Sequence, residues 1–380
     1  MPNSTPAPAA VAATAAEKPA GRVLSLDALR GFDMFWIVGA DGVVRALGKL
    51  SESQPWRFLA SQMEHKPWAG LAFEDLIFPL FVFIAGASLV FSLGKIMERE
   101  GRAAACKRAV RRAVLLYLLG LLYYGGFATA WAEIRLLGVL QRIALCYLLA
   151  ALVFCFCGLR GRVAVCVGLL AAYWALMTFV PAPGVGAGDF AEGRNLANWL
   201  DKEYLPLKKW DGDHDPEGLL STLPAIATCL LGVLAGMLLQ NRSLADGKKA
   251  GLLALSGLAL AGLGWLWHLQ FPVIKKIWTS SYVLVAGGYS CLLLAAFHYV
   301  LAARGWRAWA QPFVWIGMNP ITIYMVNELV DMEKLAQRFV GGELNQLLGR
   351  FGELAVATAV LALSLWICHF LYRRKIFLRL

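Results

Sequence analysis

Glu74-Asp75-Leu76-Ile77-Phe78-Pro79-Leu80-Phe81-Val82-Phe83-Ile84-Ala85-Gly86 is the stretch on which the fold turns. Two carboxylates open it, and the apolar pattern continues to about residue 95, enough for the ~20 residues with which a helix crosses a bilayer core. Just ahead stand His65, Lys66, Pro67, Trp68 and Gly70. An imidazole, an indole and two carboxylates therefore meet the edge of a membrane span. Polar groups there are costly unless they are paired, hydrated or useful, so this boundary is read as the reaction centre.

Working outward, the same apolar pattern recurs at 24–44, 74–95, 110–127, 134–157, 162–180, 219–239, 250–270, 280–303, 310–330 and 352–372. About ten spans predict an all-α, polytopic membrane protein. The composition agrees, with 59% apolar and 16% charged residues against roughly a quarter charged in soluble domains. A formal charge of +11 would suit a nucleic-acid binder. The basic residues, however, sit in short clusters between apolar runs and leave no basic face with interleaved aromatics, so nucleic acid is excluded as a partner. These clusters are Arg99/Arg102/Lys107/Arg108/Arg111/Arg112, Arg160/Arg162, Lys248/Lys249, Arg304/Arg307 and Arg373/Arg374/Lys375. With ten spans they share one side, which the positive-inside rule makes cytoplasmic, together with both termini. The loops 45–73, 128–133, 181–218, 271–279 and 331–351 then lie outside, so that His65 and Asp75 face the exterior or periplasm. Residues 1–21, rich in Ala and Pro with no basic start, read as a disordered tail and not a cleaved signal. Residues 22–380 read as a single transmembrane domain.

Of the eight cysteines, all but Cys106 fall within apolar runs. No Cys-x-x-Cys pair and no histidine at ligand spacing accompanies them, so they read as small buried side chains and no metal site is predicted. Asp213-His214-Asp215-Pro216-Glu217-Gly218 precedes the sixth span, where carboxylates favour a helix N-terminus. Capping accounts for one of them. The others, Asp215 and Glu217 among them, suit an amine, whereas a metal would need ligands that this spacing does not supply.

Asp27, Arg30 and Asp33 follow one another at i, i+3 on one face of the first helix. They form either a helix-end ion network or a guanidinium offered to the phosphates of a cytoplasmic ligand. Asp41, ~16 Å further along at helical rise, reaches the depth of His65 and either snorkels to solvent or joins its site. His65 is the candidate general base or nucleophile. Asp75 would cap the next helix or orient the imidazole, and Trp68 offers a flat face to a sugar ring. Gln141 and Arg142 lie inside the fourth span, where an Arg is a functional hypothesis by default. Asn319-Pro320 breaks the ninth span and frees a carbonyl for a ligand, and Asn327 and Glu328 return to the outer side. The long loop 181–218, with Trp199, Tyr204 and Trp210, suits a polar ligand or an interfacial aromatic belt.

The pattern His65-x-x-Trp68-x-Gly70-x4-Asp75-Leu76-Ile77-Phe78-Pro79-x-Phe81-x-Phe83-x-x-Gly86 resembles the heparan-α-glucosaminide N-acetyltransferase family. Ser25-Leu26-Asp27-x-x-Arg30-Gly31, Gly138-Val139-Leu140-Gln141-Arg142, Asp215-Pro216-Glu217-Gly218 and Gly317-Met318-Asn319 match it in the same order. The resemblance implies a transmembrane acyltransferase. Acetyl-CoA on the cytoplasmic side would supply acetyl to the amine of a glucosamine-type sugar, or another glycan acceptor, beyond the bilayer. It implies that His65 is catalytic, as base or transient acyl carrier, with Asp41 and Asp75 beside it. Arg30, Gln141, Arg142 and Asn319 would hold the donor, and Trp68, Asp215, Glu217 and Asn327 the acceptor. The eukaryotic enzymes carry a further lumenal domain ahead of the matching region, and an Asn is expected where Asp41 stands. A transporter is the alternative, since a broken span and buried charges also describe a substrate pathway. Gly232-Val233-Leu234-Ala235-Gly236 has the small-x-x-x-small spacing of close helix pairs, in a homodimer or within one chain.

Overall fold

The computed structural model describes residues 23–51 and 53–378, so the tail expected at 1–21 lies outside the described residues. Helix α1, Leu24–Phe35, runs through a π-helical turn at Trp36–Ala40 into α2, Asp41–Leu50, with a break at Gly39. After α3, Gln54–Gln62, comes α4, Glu74–Tyr123, a helical stretch of 50 residues bent where Gly101 leaves helical geometry. The spans expected at 74–95 and 110–127 are its two limbs. Then follow α5 Val139–Phe156, α6 Leu159–Phe179, α7 Leu196–Tyr204, α8 Thr222–Gln240, α9 Asp246–Trp267 and α10 Ser280–His298. The last five are α11 Gln311–Gly317, α12 Pro320–Val330, α13 Met332–Val340, α14 Gly342–Leu348 and α15 Gly352–Arg373. Among the described residues there is no strand beyond one isolated antiparallel bridge, Ala69 to Ile274.

Among the described residues, seven helical segments are long and apolar enough to cross a membrane, the bent α4 counted as one. The expected first and ninth spans are broken helices, at Gly39 and at Asn319-Pro320, whose halves are individually too short. Pro320 sits at the start of α12, where its missing N–H costs nothing, so the chain restarts a helix there instead of kinking one.

The core lies along α4, α5, α8 and α10, with Leu80, Phe83, Tyr147, Cys229 and Tyr282 among its buried residues. Close approach organises it. A Cβ on Gly31 would strike the carbonyl of Phe313, and one on Gly317 the carbonyl of Asp27, so α1 and α11 cross in backbone contact. Gly232 and Gly236 press in the same way on Phe83 and Ala87 of α4. The small-x-x-x-small spacing is thus used inside the monomer, which removes it as a signal for a homodimer. Cys146, Cys155, Cys166, Cys229, Cys291 and Cys368 are buried free thiols, as their apolar settings predict.

Candidate active site

Four loops converge where His65 stands. The segment 63–73 is stitched to the α9–α10 loop by the Ala69–Ile274 bridge and by the Gly70 amide, which donates to the Val273 carbonyl at 2.8 Å. Gly70 adopts φ +111°, closed to most side chains, and this lets the two loops run together. Trp68 donates its indole N–H to the Phe190 carbonyl at 2.9 Å and packs in a satellite apolar cluster with Phe271 and Tyr173. It is an anchor for the loop layer and does not line the cavity described below, contrary to its expected place against the sugar.

Asp75 is 1% exposed; its backbone carbonyl accepts from the Tyr282 hydroxyl at 2.7 Å, and its carboxylate faces the loop. One carboxylate oxygen accepts from the Lys66 and Ala72 amides, at 3.1 and 3.0 Å, and the other lies 3.0 Å from His65 Nδ1. Its geometry serves both expected roles: it contacts the imidazole as an orienter would, and it holds the Ala72 amide three residues back as the carboxylate of a capping box does. Lys275 completes a triangle, its Nζ 3.0 Å from His65 Nδ1 and 3.3 Å from the same Asp75 oxygen. Burial pulls the Lys275 ammonium below the ordinary amine range, against the pull of Asp75. The His65 side chain itself remains 59% exposed.

Below this triangle opens a cavity of about 740 Å³. Its mouth carries His65, Glu74, Lys275 and Glu217, its length is apolar with Met34, Ile37, Phe78 and Phe81, and its far end reaches Pro320. From Glu328, also in the wall, to Pro320 is ~12 Å at helical rise. Tyr123 and Tyr324 stack across it with ring centroids 4.5 Å apart.

The opposite wall is sealed. Arg135, buried, donates to both Asp215 oxygens at 2.9 and 2.6 Å and to Glu217 at 2.5 Å, and its guanidinium lies over the rings of Tyr124 and Trp210. Asp215 also accepts from the Trp210 and Glu217 amides. Asp215 is therefore committed to the protein, while Glu217 still reaches the cavity; burial pushes its carboxyl up against the pull of Arg142 and Arg135. Behind them Asp201 accepts from the Leu219 amide at 2.8 Å and the Asp215 amide at 3.4 Å, and burial raises its pKa to about 6.

The residues expected at the donor do not line this cavity. Arg30 is bound to Asp27, to the Gly317 carbonyl and to Ser88, tying α1 to α11 and α4. Asp33 does not join it; both its buried oxygens lack a hydrogen-bond partner among the described residues. The Asn319 amide is taken by the C-terminal backbone, donating to the Ile376 carbonyl at 3.0 Å and accepting from the Leu378 amide at 3.1 Å. Arg142 is fully buried against Trp278 and donates to the Gly218 carbonyl and Ser221, and Gln141 donates to the Arg135 carbonyl; neither lines the cavity. Asp41 pairs with Arg45 and is absent from the wall, and Asn327 faces a separate, smaller pocket beside Gly39. Lys275 and Arg135 were missed. The signal available for Lys275 was its neighbour: two consecutive lysines in a loop assigned to the outer side run against the positive-inside rule.

A family model described as heparan-alpha-glucosaminide N-acetyltransferase, catalytic, matches residues 22–268. Heparan-alpha-glucosaminide N-acetyltransferase of Mus musculus is 26% identical over 381 residues, covering 83% of this chain and 56% of its own length. The protein of the same name from Homo sapiens is 26% identical over 423 residues, covering 94% and 59%. The chain thus spans a little over half the length of the curated relatives it matches. With a family match over more than half of its residues, and with His65, Asp75 and Arg135 inside the matched part, the chain belongs to the heparan-α-glucosaminide N-acetyltransferase catalytic family.

Proposed function

We propose that this chain is a transmembrane acetyltransferase that takes acetyl from acetyl-CoA on the cytoplasmic side and places it on the amine of a glucosamine-type sugar on the periplasmic side. In this reading residues 22–380 form one acyltransferase domain in a bacterial inner membrane. The chain crosses ten times with both termini inside, the two limbs of α4 and the two broken helices each counting as a crossing. The observation that carries it is the oriented imidazole of His65, 3.0 Å from Asp75, at the mouth of the 740 Å³ cavity.

Chemically, the Asp75 carboxylate accepts the Nδ1 proton while Lys275, on the same side, gives its own hydrogen to that carboxylate oxygen, and the lone pair is left on Nε2. That nitrogen can take the proton an amine sheds when it attacks a carbonyl, or can itself attack the carbonyl and carry the acyl group. The donor supplies a thioester, whose C–S bond breaks as the new C–N bond forms. Its uncharged arm suits the apolar cavity length between Pro320 and His65. Since Arg30 and Asn319 are engaged with the protein, the arm is assigned to the walls formed by Met34, Ile37, Phe78 and Phe81. Glu74 and Glu217 at the mouth suit the ammonium of an amino sugar, and the Tyr124 and Trp210 rings its flat face.

Proteoliposomes loaded with labelled acetyl-CoA test this. Label is expected on glucosamine added outside and none in His65→Ala. Uptake of unmodified sugar without donor would assign the cavity to a transporter instead.

A further inference from the structure

We propose that Glu192, Asp211 and His214, in the loop layer beside the cavity, form a divalent-cation site whose donor set suits zinc. One imidazole nitrogen and two carboxylate oxygens lie within 4.8 Å of one another. The spacing of 213–217 lacked a further ligand, and Glu192 brings it from across the loop.

The His214 side chain, only 6% exposed, is what distinguishes this cluster from a solvated acidic patch. Its Nδ1 lies 2.7 Å from Asp213 Oδ1. A carboxylate accepts there, which places a proton on Nδ1 and turns Nε2 inward, where the neutral ring offers a lone pair. It faces Glu192 Oε1 at 3.8 Å and Asp211 Oδ2 at 3.9 Å, and it has no hydrogen-bond partner among the described residues. Three lone-pair donors turned toward one another call for a cation between them. The Lys276 ammonium, 2.6 Å from Glu192 and 3.0 Å from Asp211, meets the carboxylates but offers nothing to the imidazole. A metal ion meets all three.

The arrangement has the parts of a metal centre. Asp213 stands where an outer carboxylate fixes the tautomer of a ligating histidine. Imidazole with carboxylates selects zinc over magnesium or calcium, which favour oxygen alone, and three protein ligands leave a fourth position for water. The donors must draw inward to reach bonds of about 2.0–2.2 Å, and Lys276 must swing out. Asp211 and Lys276 also line the cavity, and Lys276 follows the lysine bonded to His65. Loading the site would release the Lys276 ammonium beside the reaction centre.

Zinc titration of the purified, chelator-stripped full chain in detergent, against a chromophoric chelator, tests this. One equivalent is expected to bind. His214→Gln should weaken it at least ~100-fold and Asp213→Asn ~10–100-fold, while Lys276→Met, which removes the competing ammonium, should tighten it several-fold. A gain of affinity cannot come from misfolding. Equal zinc affinity in the wild type and His214→Gln, or no saturable equivalent in either the wild type or Lys276→Met, overturns the site.

Discussion

The two walls of the cavity mouth both pair basic side chains with carboxylates, yet they are held in opposite ways. On one wall Asp75 is locked by two backbone amides while its partner His65 stays largely exposed and shares its Nδ1 side with Lys275. On the other, Arg135 is buried, bonded to two carboxylates and covered by two rings. A hydrated imidazole on a fixed carboxylate can exchange a proton and still keep its place. A guanidinium cannot lose its proton, and enclosed between Asp215 and Glu217 it can only hold shape. One wall therefore reacts and the other frames the space in which the reaction occurs.

Mutation should separate them. His65→Ala is expected to lower acetyl transfer by ~10²–10⁴-fold while leaving the melting temperature nearly unchanged, measured by thermal unfolding in detergent. Arg135→Met should do the reverse. Removing it strands two buried carboxylates at a cost of about 3–5 kcal/mol, so the folded yield falls, while the surviving fraction keeps its kcat and shows its loss in the KM for the acceptor. Asp215→Asn in the same chain should recover part of that stability. A stable but inactive Arg135→Met protein would transfer Arg135 to the reacting wall.

What was legible in the sequence divides along the same line. Helices were readable because a bilayer demands long apolar runs whatever their partners, and His65 and Asp75 were readable together because only ten residues separate them. The Gly101 bend that fuses two expected spans into α4 is set by a single backbone angle that hydropathy does not register. The bond of Arg30 to Asp27 was one of the two readings that the i, i+3 spacing offered, but its hold on the Gly317 carbonyl was hidden, and Asn319 looked free for a ligand, because those partners and the backbone of Ile376 and Leu378 lie far along the chain. The contact of Lys275 with His65 was hidden for the same reason, across 210 residues, although the lysine pair itself stood out in an outer loop. Polar atoms in the bundle are satisfied by distant backbone, which no local pattern announces.

A smaller effect sharpens the framing wall. Asp201 titrates near 3.8 when unfolded and about 6 when folded, because burial outweighs the amides of Leu219 and Asp215. The folded state holds this proton more tightly. Its contribution to stability is thus complete below the unfolded value and disappears as pH rises through about 6, amounting to about 3 kcal/mol across that window. Asp201→Asn, which mimics the protonated form, should flatten the pH dependence of unfolding between pH 4 and 7. An unchanged slope would mean that another group titrates there.

The smallest expected effect concerns the seam between the two loops of the reacting wall. Gly70 at φ +111° lets its amide reach Val273 and so ties the loop of His65 to the loop of Lys275. In Gly70→Ala the new Cβ would meet only the Lys66 side chain, at an ordinary 3.6 Å, so the cost comes from the backbone angle and not from a clash. That strain is worth about 1–3 kcal/mol. Relieving it pulls the 63–73 segment from the α9–α10 loop and loosens Lys275 from the imidazole. Turnover should fall several-fold with donor affinity unchanged, since the cavity walls below Glu74 are untouched. If Gly70→Ala instead weakened coenzyme A binding and spared turnover, the two loops would belong to the donor path and not to the imidazole.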